Sequence, residues 1–525
     1  MAGHRPSNDK AHNDEETRGL LSNVDGDVED TASSPPAPSS APSECSSKPR
    51  LKLLASLSAL VFLVLAGGAA YVLTRAPQTP TKQRGELLSN GTHEFKRTAI
   101  LISIDGLRAD YLDRGLTPHL LDISKQGIRA KYMKPIFPTL TFPNHWALMT
   151  GLHAESHGII ANNFWDPASD TEFWYNRIES AWNASWWLGE PMWETAERAG
   201  VVTANLMWPG PPTTLSGASP SYFVPWRDKV PLQEKLDQIL EWIDGEKEGR
   251  PELILAYEPS LDQAGHATGP MSALVNQTLS EIDTFAHSLH TSLLARNLSQ
   301  ICDVIFVSDH GMGDTSDVEW VYVDGEGILG DTWKNVTHHD GWPSMGLRFV
   351  EGTDERIVLE KLVQASKNPE FERKFEVYTA EGYVGGDVVD ALTMPTRYHF
   401  SSHERIAPIW IVPKLGYALT TKAMGEDGMS IGNHGYDNEE PSMGAIFVAH
   451  GPFSHGAKSL SLSSSSSSSP SASSDMWHST ADDAYIMPGF PNVEIYNLIM
   501  RLLDIEEWGV ATNGTRGFWD AYVDL

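Results

Sequence analysis

Three aspartates and three histidines along the chain carry side chains that can bind a metal ion. The six are Asp105, Asp262, His266, Asp309, His310 and His434. Asp262 and His266 are four residues apart in SLDQAGHATGP, so one helical turn or a tight loop can aim both at one ion. Asp309 and His310 follow an apolar run in FVSDHGMGD, where a turn lets both side chains approach a shared metal.

Each motif, taken alone, also has an ordinary structural explanation. Asp105, between a strand-like run and a glycine in ISIDGLRADY, is typical of a turn or a helix cap. The loop with Asp262 can be a solvated loop, and a lone histidine such as His434 in IGNHGYDN is usually structural. Together, however, six N and O ligands suit two zinc-class ions. Two such ions roughly 4 Å apart can clamp the attacking and leaving oxygens of a phosphoryl transfer.

Two threonines in the stretch PTLTFPNHW, Thr139 and Thr141, are candidate nucleophiles. No base lies beside either hydroxyl, so any activation must come from groups elsewhere in the chain. The formal net charge of -30 repels nucleic acid and anionic membranes at long range. Binding of a nucleic-acid duplex is therefore not expected, and an anionic substrate requires local positive charge, such as bound metal ions.

Strand-like and helical patterns alternate along the chain and indicate how the candidate ligands are positioned. The main strand-like runs are residues 99–104, 253–257, 304–308 and 443–449, and the clearest helical patterns are residues 232–245 and 272–295. Buried strands that alternate with helices predict an α/β fold with a central, mostly parallel sheet and helices on both faces. Ligands of such sheets bind at the carboxyl ends of the strands, where the candidate motifs fall.

The N-terminal part of the chain differs in composition from the rest. Residues 1–50 are polar and predict a disordered tail. Residues 16–21 resemble an acidic dileucine sorting signal, and a chance match in a polar tail is the alternative. Residues 53–73 carry no charge and have the length of a membrane span. A cleaved signal peptide is the alternative, but the long polar segment before the span favours an uncleaved signal anchor. A stalk (74–95) and a catalytic domain (96–525) follow, and the domain contains a Ser-rich insertion at 459–474.

N-glycosylation sequons occur only after the apolar segment. They begin at Asn90, Asn183, Asn276, Asn297, Asn335 and Asn513. This one-sided placement predicts N-glycans and a single-pass type II membrane protein that is held by one N-terminal helix. The catalytic domain is then lumenal or extracellular, in a vacuolar or lysosome-like membrane or in the plasma membrane. The two cysteines, Cys45 and Cys302, lie in unlike contexts and predict no disulfide.

Several motifs taken together resemble the nucleotide pyrophosphatase/phosphodiesterase family of the alkaline phosphatase superfamily. The matching pieces include IDGLRADYL, TFPNHWALMTGLHAESHGIIANN, GEPMW, DQAGH, SDHGM, NHGYDN and FPNVEIYNL, and they span nearly all of residues 96–504. The chain looks like a compact, fungal-type member. The resemblance implies an alkaline-phosphatase-like fold and a hydrolase with two Zn²⁺ ions.

The resemblance also implies a role for each residue of the site. The ligands of one zinc are matched by Asp262, His266 and His434. The ligands of the other zinc are matched by Asp105, Asp309 and His310, together with the hydroxyl of Thr141. Thr141 would attack phosphorus and form a phosphothreonine intermediate. Asn162 matches an asparagine that donates a hydrogen bond to a phosphate oxygen, and His145 and His157 are expected to hold the surrounding loop.

Aromatic residues are expected to set the substrate. Phe142 matches an aromatic that stacks on a nucleobase, and the opposing aromatic is expected in PSYFVPW, with Trp226 preferred and Tyr222 as the alternative. The implied substrates are nucleotides and related phosphodiesters, which would yield nucleoside 5'-monophosphates. A lipid-headgroup or choline phosphodiesterase is the alternative, and an acidic or fully aromatic cage near Trp226 would favour it. A non-enzymatic surface protein is disfavoured, because all six ligands and the threonine are present.

Overall fold

The computed structural model describes residues 87–380, 383, 388, 390–426, 430–457 and 485–523. The predicted tail (1–50), membrane span (53–73) and Ser-rich insertion (459–474) lie outside these residues. Within the described part, no helix is both long enough and apolar enough to cross a membrane. The end of the predicted stalk is described. It forms a two-stranded hairpin whose last residue, Phe95, is buried, so residues 88–95 belong to the folded domain.

The described residues form the following strands and helices. The strands are β1 (Leu88–Ser89), β2 (Glu94–Phe95), β3 (Thr98–Ile104), β4 (Ile128–Ala130), β5 (Met133–Lys134), β6 (Asn163–Asp166), β7 (Thr171–Trp174), β8 (Thr203–Leu206), β9 (Tyr222–Val224), β10 (Leu253–Glu258), β11 (Cys302–Val307), β12 (Gly313–Asp314), β13 (Glu319–Tyr322), β14 (Val336–Asp340), β15 (Met345–Phe349), β16 (Phe375–Thr379), β17 (Leu392–Thr393), β18 (Ile409–Pro413), β19 (Tyr417–Thr420), β20 (Gly432–Asn433), β21 (Phe447–His450), β22 (Tyr485–Met487) and β23 (Phe490–Pro491). The helices are α1 (Pro118–Gln126), α2 (Thr141–Thr150), α3 (Ala154–His157), α4 (Ile178–Ala181), α5 (Met192–Arg198), α6 (Leu232–Ile243), α7 (Ser260–Thr268), α8 (Ala273–Ala295), α9 (Glu355–Ser366) and α10 (Ile495–Leu502).

A central sheet carries the strands that the apolar runs predict. Its order is β22-β4-β21-β11-β3-β10-β8-β9. Strands β11, β3, β10, β8 and β9 are parallel to one another, as expected. Strand β21, from the run at 443–449, is antiparallel to both of its neighbours. Its carboxyl end therefore lies on the side of the sheet away from the carboxyl ends of the parallel strands. An apolar run cannot reveal this, because hydrophobicity carries no information on strand direction.

Both faces of the central sheet are covered by helices. Along β3, Ala99 and Leu101 pack into one apolar cluster, and the alternate residues Ile100 and Ile102 pack into another. The first cluster includes residues of α2, α5 and α10, and the second includes residues of α1, α6 and α8. Because successive side chains of a strand point to opposite faces, this alternation places helices on both sides.

A second sheet, which the sequence did not indicate, has the strand order β14-β15-β18-β16-β17. It forms a separate apolar core with α9. The sequon asparagines are spread over the described surface, and none of them is buried. Asn183, Asn297 and Asn513 are exposed, and Asn90, Asn276 and Asn335 are half-buried. Glycosylation and membrane topology stay predictions.

Candidate active site

The three aspartates of the candidate site lie at the carboxyl ends of three neighbouring strands. Asp105 directly follows β3, Asp309 lies two residues beyond β11, and Asp262 lies in the first turn of α7, which follows β10. The backbone N–H of Gly106 donates to Asp309 Oδ1 at 3.2 Å, which fastens two of these strand ends to each other. The three aspartates lie close together because β11, β3 and β10 are adjacent and parallel, and the carboxyl ends of parallel strands lie on the same side of a sheet.

Asp262, His266 and His434 form one candidate metal cluster. Asp262 Oδ2 lies 3.3 Å from His266 Nε2, and Asp262 Oδ1 lies 3.5 Å from His434 Nε2. One helical turn of α7 brings the first two residues together, and His434 follows the short strand β20, which pairs with β12. A Cβ atom on Gly432 would lie 2.4 Å from the carbonyl oxygen of Gly265, so only glycine lets β20 approach α7 this closely.

Asp105, Asp309 and His310 form a second cluster beside the first. His310 Nε2 lies 3.4 Å from Asp105 Oδ1 and 3.1 Å from Asp309 Oδ2. Asp262 belongs to both neighbourhoods, because its ligand atoms lie within 4.8 Å of those of Asp105 and His310 as well. The rings of His310 and His434 stack with centroids 3.6 Å apart, so the two clusters are contiguous.

The histidine hydrogen bonds show which ring nitrogens face the clusters. In each residue, Nδ1 donates to a backbone carbonyl at 2.9 Å. The acceptors are Gly432 for His266, Thr139 for His434 and Gly311 for His310. A carbonyl can only accept, so Nδ1 carries the proton and Nε2 carries the lone pair. The Nε2 atoms of His266 and His434 lie 3.1 Å apart, a distance at which two lone pairs repel unless a cation or a proton lies between them.

The carboxylates likewise fit a bound cation. Asp105 Oδ1, Asp262 Oδ1 and Asp309 Oδ2 are buried and have no hydrogen-bond partner among the described residues. Buried polar atoms are nearly always hydrogen-bonded or bound to an ion. Burial, reinforced by Asp309 and Asp262, raises the pKa of Asp105 well above its ordinary value. Burial also lowers the pKa of His434 to about 3, with a contribution from His310. The donor set therefore fits divalent metal ions of the zinc class.

Thr141, and not Thr139, faces the clusters. Thr141 is the first residue of α2, it is buried, and its Oγ1 lies 3.2 Å from His310 Nε2. The hydroxyl of Thr139 instead donates to the carbonyl of Tyr436 and accepts from the N–H of Gly435. Thr141 lies at the N-terminus of α2, where the helix dipole favours negative charge on its hydroxyl oxygen.

Buried hydrogen bonds hold the threonine loop. The side chain of Asn144 accepts from the N–H of Ile136 and donates to the carbonyls of Pro138 and Leu140. His145 contacts the Thr141 carbonyl at 2.9 Å and lies 3.3 Å from Asp309, while the other side of its ring contacts Ser103. His157 is also fully buried, and its Nδ1 accepts from the N–H of Ile159.

Asn162 and Phe142 meet beside the threonine. The backbone N–H of Phe142 donates to Asn162 Oδ1 at 3.1 Å. This hydrogen bond fixes the orientation of the Asn162 amide, because Oδ1 is the acceptor and Nδ2 is the atom that can donate.

An aromatic pocket begins at Phe142. It is lined by Phe142, Tyr175, Ala181, Trp182, Met207, Trp208, Pro209, Gly210, Phe223, Trp226 and Tyr257. Trp226 therefore shares a pocket with Phe142, whereas Tyr222 is turned elsewhere, with its hydroxyl on the carbonyl of Gly249 and its ring beside Trp242. The sequence analysis did not assign Tyr175, Phe223, Tyr257 or Trp208 to this pocket, although Phe223 lies in PSYFVPW.

Residues 99–437 match a family model described as type I phosphodiesterase/nucleotide pyrophosphatase. The chain belongs to this family. The predicted resemblance is thereby confirmed, and the chain is a hydrolase of the phosphodiesterase/nucleotide pyrophosphatase class.

Individual relatives agree with the family assignment. An uncharacterized pyrophosphatase/phosphodiesterase of Schizosaccharomyces pombe is 36% identical over 425 residues, which is 80% of each chain. Ectonucleotide pyrophosphatase/phosphodiesterase family member 3 of Mus musculus is 31% identical over 423 residues. This match covers 80% of the present chain but 43% of the mouse protein, so the chain spans less than half the length of that relative.

Solved structures of the nucleotide pyrophosphatase/phosphodiesterase family share the fold. Murine ectonucleotide pyrophosphatase/phosphodiesterase 5, as an inactive threonine-to-alanine variant in complex with AMP, has a TM-score of 0.65 at 26% identity. The alignment covers 82% of this chain and 100% of the murine chain. The predicted alkaline-phosphatase-like α/β fold is thereby confirmed. The roles of individual site residues stay predictions.

Tyr257 links the aromatic pocket of this phosphodiesterase-family chain to the second cluster. Its buried hydroxyl donates to Asp105 Oδ2 at 2.5 Å, which leaves Oδ1 as the oxygen toward His310. We expect Tyr257→Phe to weaken metal binding by roughly 10- to 100-fold, the usual effect of losing a group that orients a ligand. Competition with a chromophoric chelator measures this affinity. Tyr222→Phe, which removes a hydroxyl away from the site, is the control, and equal affinities in the two variants would contradict the role of Tyr257.

Proposed function

We propose that the chain is a zinc-dependent phosphodiesterase and nucleotide pyrophosphatase that acts through a phosphothreonine intermediate. Its products would be nucleoside 5'-monophosphates. The observation that carries the proposal is the position of the Thr141 hydroxyl, 3.2 Å from His310, where two contiguous ligand clusters and an aromatic pocket meet. The murine relative's structure, an inactive threonine-to-alanine variant with AMP, supports this reading.

The donor set is compatible with two zinc ions. Asp262, His266 and His434 would hold one ion, and Asp105, Asp309 and His310 would hold the other. When bound, such ions supply positive charge that lowers the pKa of a nearby hydroxyl and stabilises negative charge on phosphate oxygens. They also provide the local attraction for anions that a chain with a net charge of -30 otherwise lacks.

Thr141 and Asn162 have different roles in the proposed reaction. Thr141 Oγ1 gives up its proton to solvent and forms a bond to phosphorus as the bond to the leaving oxygen breaks, and the leaving group departs with that electron pair. The amide of Asn162, fixed by the N–H of Phe142, donates toward a phosphate oxygen and stabilises the developing charge. Water then cleaves the phosphothreonine and restores the hydroxyl. The net reaction consumes one water for each diester or anhydride bond cleaved.

A choline or lipid-headgroup phosphodiesterase is the second candidate function. The observation in its favour is the number of aromatic rings in the pocket, since aromatic faces attract a quaternary ammonium group. No carboxylate side chain lines the described pocket, however, so the negative charge that would reinforce such an attraction is missing there.

Side-by-side rates on ATP, a dinucleotide, NAD and glycerophosphocholine test the proposal. We expect the highest kcat/KM for substrates with a nucleoside group, and nucleoside 5'-monophosphate as the product that chromatography identifies. Faster turnover of glycerophosphocholine than of every nucleotide would reject the nucleotide assignment and favour the second candidate. Failure to hydrolyse any of the four would reject both.

A further inference from the structure

A buried ion pair lies at the end of β10, the strand that leads into α7. Lys235 on α6 and Glu258, the last residue of β10, have side chains that are 3% and 5% exposed. Lys235 Nζ donates to Glu258 Oε2 at 2.7 Å and to the carbonyl of Tyr257 at 2.9 Å. Taking two charges out of water costs free energy that their mutual attraction often offsets only in part. A buried ion pair is therefore weak evidence for stability, and this one points to a further role.

Glu258 contacts two segments that carry candidate metal ligands. Its Oε1 accepts from the N–H of Ser260, the first residue of α7, at 2.8 Å. The residue before α7 is Pro259, which provides no side-chain cap, so the Glu258 carboxylate lies where the helix dipole favours negative charge. The backbone carbonyl of Glu258 accepts from the N–H of Asp105 at 2.9 Å. One residue therefore holds both Asp105 and the start of the helix that carries Asp262.

Among the described residues, neither member of the ion pair lines the aromatic pocket. Glu258 lines a separate groove that residues of α6 and α8 border, whereas Tyr257, the residue before it, lines the aromatic pocket and orients Asp105. Adjacent side chains of a strand point to opposite faces of the sheet. Because Lys235 donates both to the Tyr257 carbonyl and to the Glu258 carboxylate, it fixes this strand end from the face opposite the pocket.

We propose that Lys235 and Glu258 are positioning residues that set the spacing of the two metal clusters by fixing the end of β10. This inference rests on the proposed function, because it requires the clusters to bind metal ions. Lys235 orients the Glu258 carboxylate, and the side chain and carbonyl of Glu258 then hold α7 and Asp105 relative to each other. Ligands that are already held at the spacing that two ions need bind these ions more tightly, so loss of the pair should weaken metal binding.

The other end of β10 supplies a matched control. Glu252 directly precedes the strand, is also buried, and forms an ion pair with Lys96, whose Nζ lies 2.7 Å from its Oε1. Its backbone carbonyl accepts from the N–H of Ala99 at 2.8 Å, as the carbonyl of Glu258 accepts from that of Asp105. Glu252→Gln therefore makes the same chemical change next to the same strand, away from the clusters.

Competition with a chromophoric chelator measures the zinc affinity of the full chain in the absence of substrate. We expect Glu258→Gln and Lys235→Met to weaken zinc binding by roughly 10- to 100-fold, the usual effect of losing a group that orients a ligand. Glu252→Gln should bind zinc as the wild type does. At saturating zinc, kcat for the nitrophenyl ester of thymidine 5'-monophosphate should fall in the two test variants while KM changes little, since the aromatic pocket keeps its lining. Equal zinc affinities in Glu258→Gln and Glu252→Gln would overturn the inference.

The double variant Lys235→Met/Glu258→Gln separates positioning from stability. A single substitution leaves one charge buried and unpaired, which can unfold the chain, whereas the double variant removes both charges and should regain the melting temperature that the single variants lose. If the pair positions the clusters, zinc affinity and kcat stay low in the double variant, because methionine cannot donate to the Tyr257 carbonyl or to residue 258. Return of zinc affinity together with the melting temperature would show that the pair only stabilises the fold, and would overturn the inference.

Zinc binding and hydrolysis distinguish failure of this inference from failure of the proposed function. If the wild type binds zinc but cleaves no diester, the proposed function fails, and the zinc affinities of the variants still decide the inference. If the wild type cleaves nucleotides and all variants bind zinc equally, the inference alone fails. A wild type that binds no zinc would overturn both.

Discussion

Replacement of Thr141 by alanine is expected to abolish hydrolysis while leaving nucleotide binding in place. The hydroxyl lies 3.2 Å from His310 Nε2, beside the two clusters, and Thr141 begins α2, where the helix dipole favours an anion. Loss of a covalent nucleophile lowers kcat by roughly 10⁴-fold or more, because the residual site can only orient water. The aromatic pocket and Asn162 are untouched, so the Kd for AMP should stay close to that of the wild type.

Steady-state assay of the nitrophenyl ester of thymidine 5'-monophosphate measures the rate, and calorimetry measures AMP binding. Thr141→Ser is the matched variant, since it keeps the hydroxyl and should retain measurable turnover. Thr139→Ala would break contacts to the segment after His434 without removing a nucleophile, so its loss should be smaller than that of Thr141→Ala. Turnover of Thr141→Ala at the wild-type rate would show that the nucleophile assignment is wrong.

The proximity of Asp105, Asp262 and Asp309 could be predicted from the sequence, because each residue follows a predicted strand. Their role as metal ligands stays a prediction. The apolar runs at 99–104, 253–257 and 304–308 correspond to β3, β10 and β11 within two residues at each end. The carboxyl ends of parallel strands lie on the same side of a sheet, so the residues that follow these apolar runs are expected to lie close together. The helical patterns at 232–245 and 272–295 likewise correspond to α6 and α8, and Ser272 caps α8.

The aromatic pocket was beyond the reach of such patterns. Its walls come from helix, strand and loop residues that are distant in sequence, and the sequence does not distinguish an aromatic side chain that packs from one that binds a ligand. The positions of Trp226 and Tyr222 could be distinguished only in the fold, in which the hydroxyl of Tyr222, on the short strand β9, donates to the carbonyl of Gly249. Tyr257 lies in the apolar run at 253–257, which predicts a buried strand, so its position in the sequence did not indicate a contact with Asp105.

Removal of the metal ions is expected to abolish activity and lower the free energy of unfolding. Asp105, Asp262 and Asp309 are buried with unpartnered oxygens, and without cations only neighbouring histidines offset the repulsion between these carboxylates. An ion present at 1,000 times its Kd stabilises the fold by about 4 kcal/mol, and this contribution is lost on chelation. Elemental analysis before chelation should give two zinc ions per chain, and calorimetry should show a lower melting temperature afterwards. Activity and melting temperature that survive complete chelation would contradict the metal assignment.

Two buried aspartates of the same strand region provide a matched test of where the metal binds. Asp309, beyond the carboxyl end of β11, belongs to the second cluster, whereas Asp303 is near the start of that strand and accepts from the N–H of Phe453. Burial raises the pKa of Asp303 to about 7, so below neutral pH the side chain is mostly protonated, and asparagine is a close mimic of that form. Asp309→Asn should lose about one ion per chain and most of the activity, because a neutral amide is a poor zinc ligand. Asp303→Asn should keep both ions, and equal metal loss in the two variants would show that the effect is structural and not ligation.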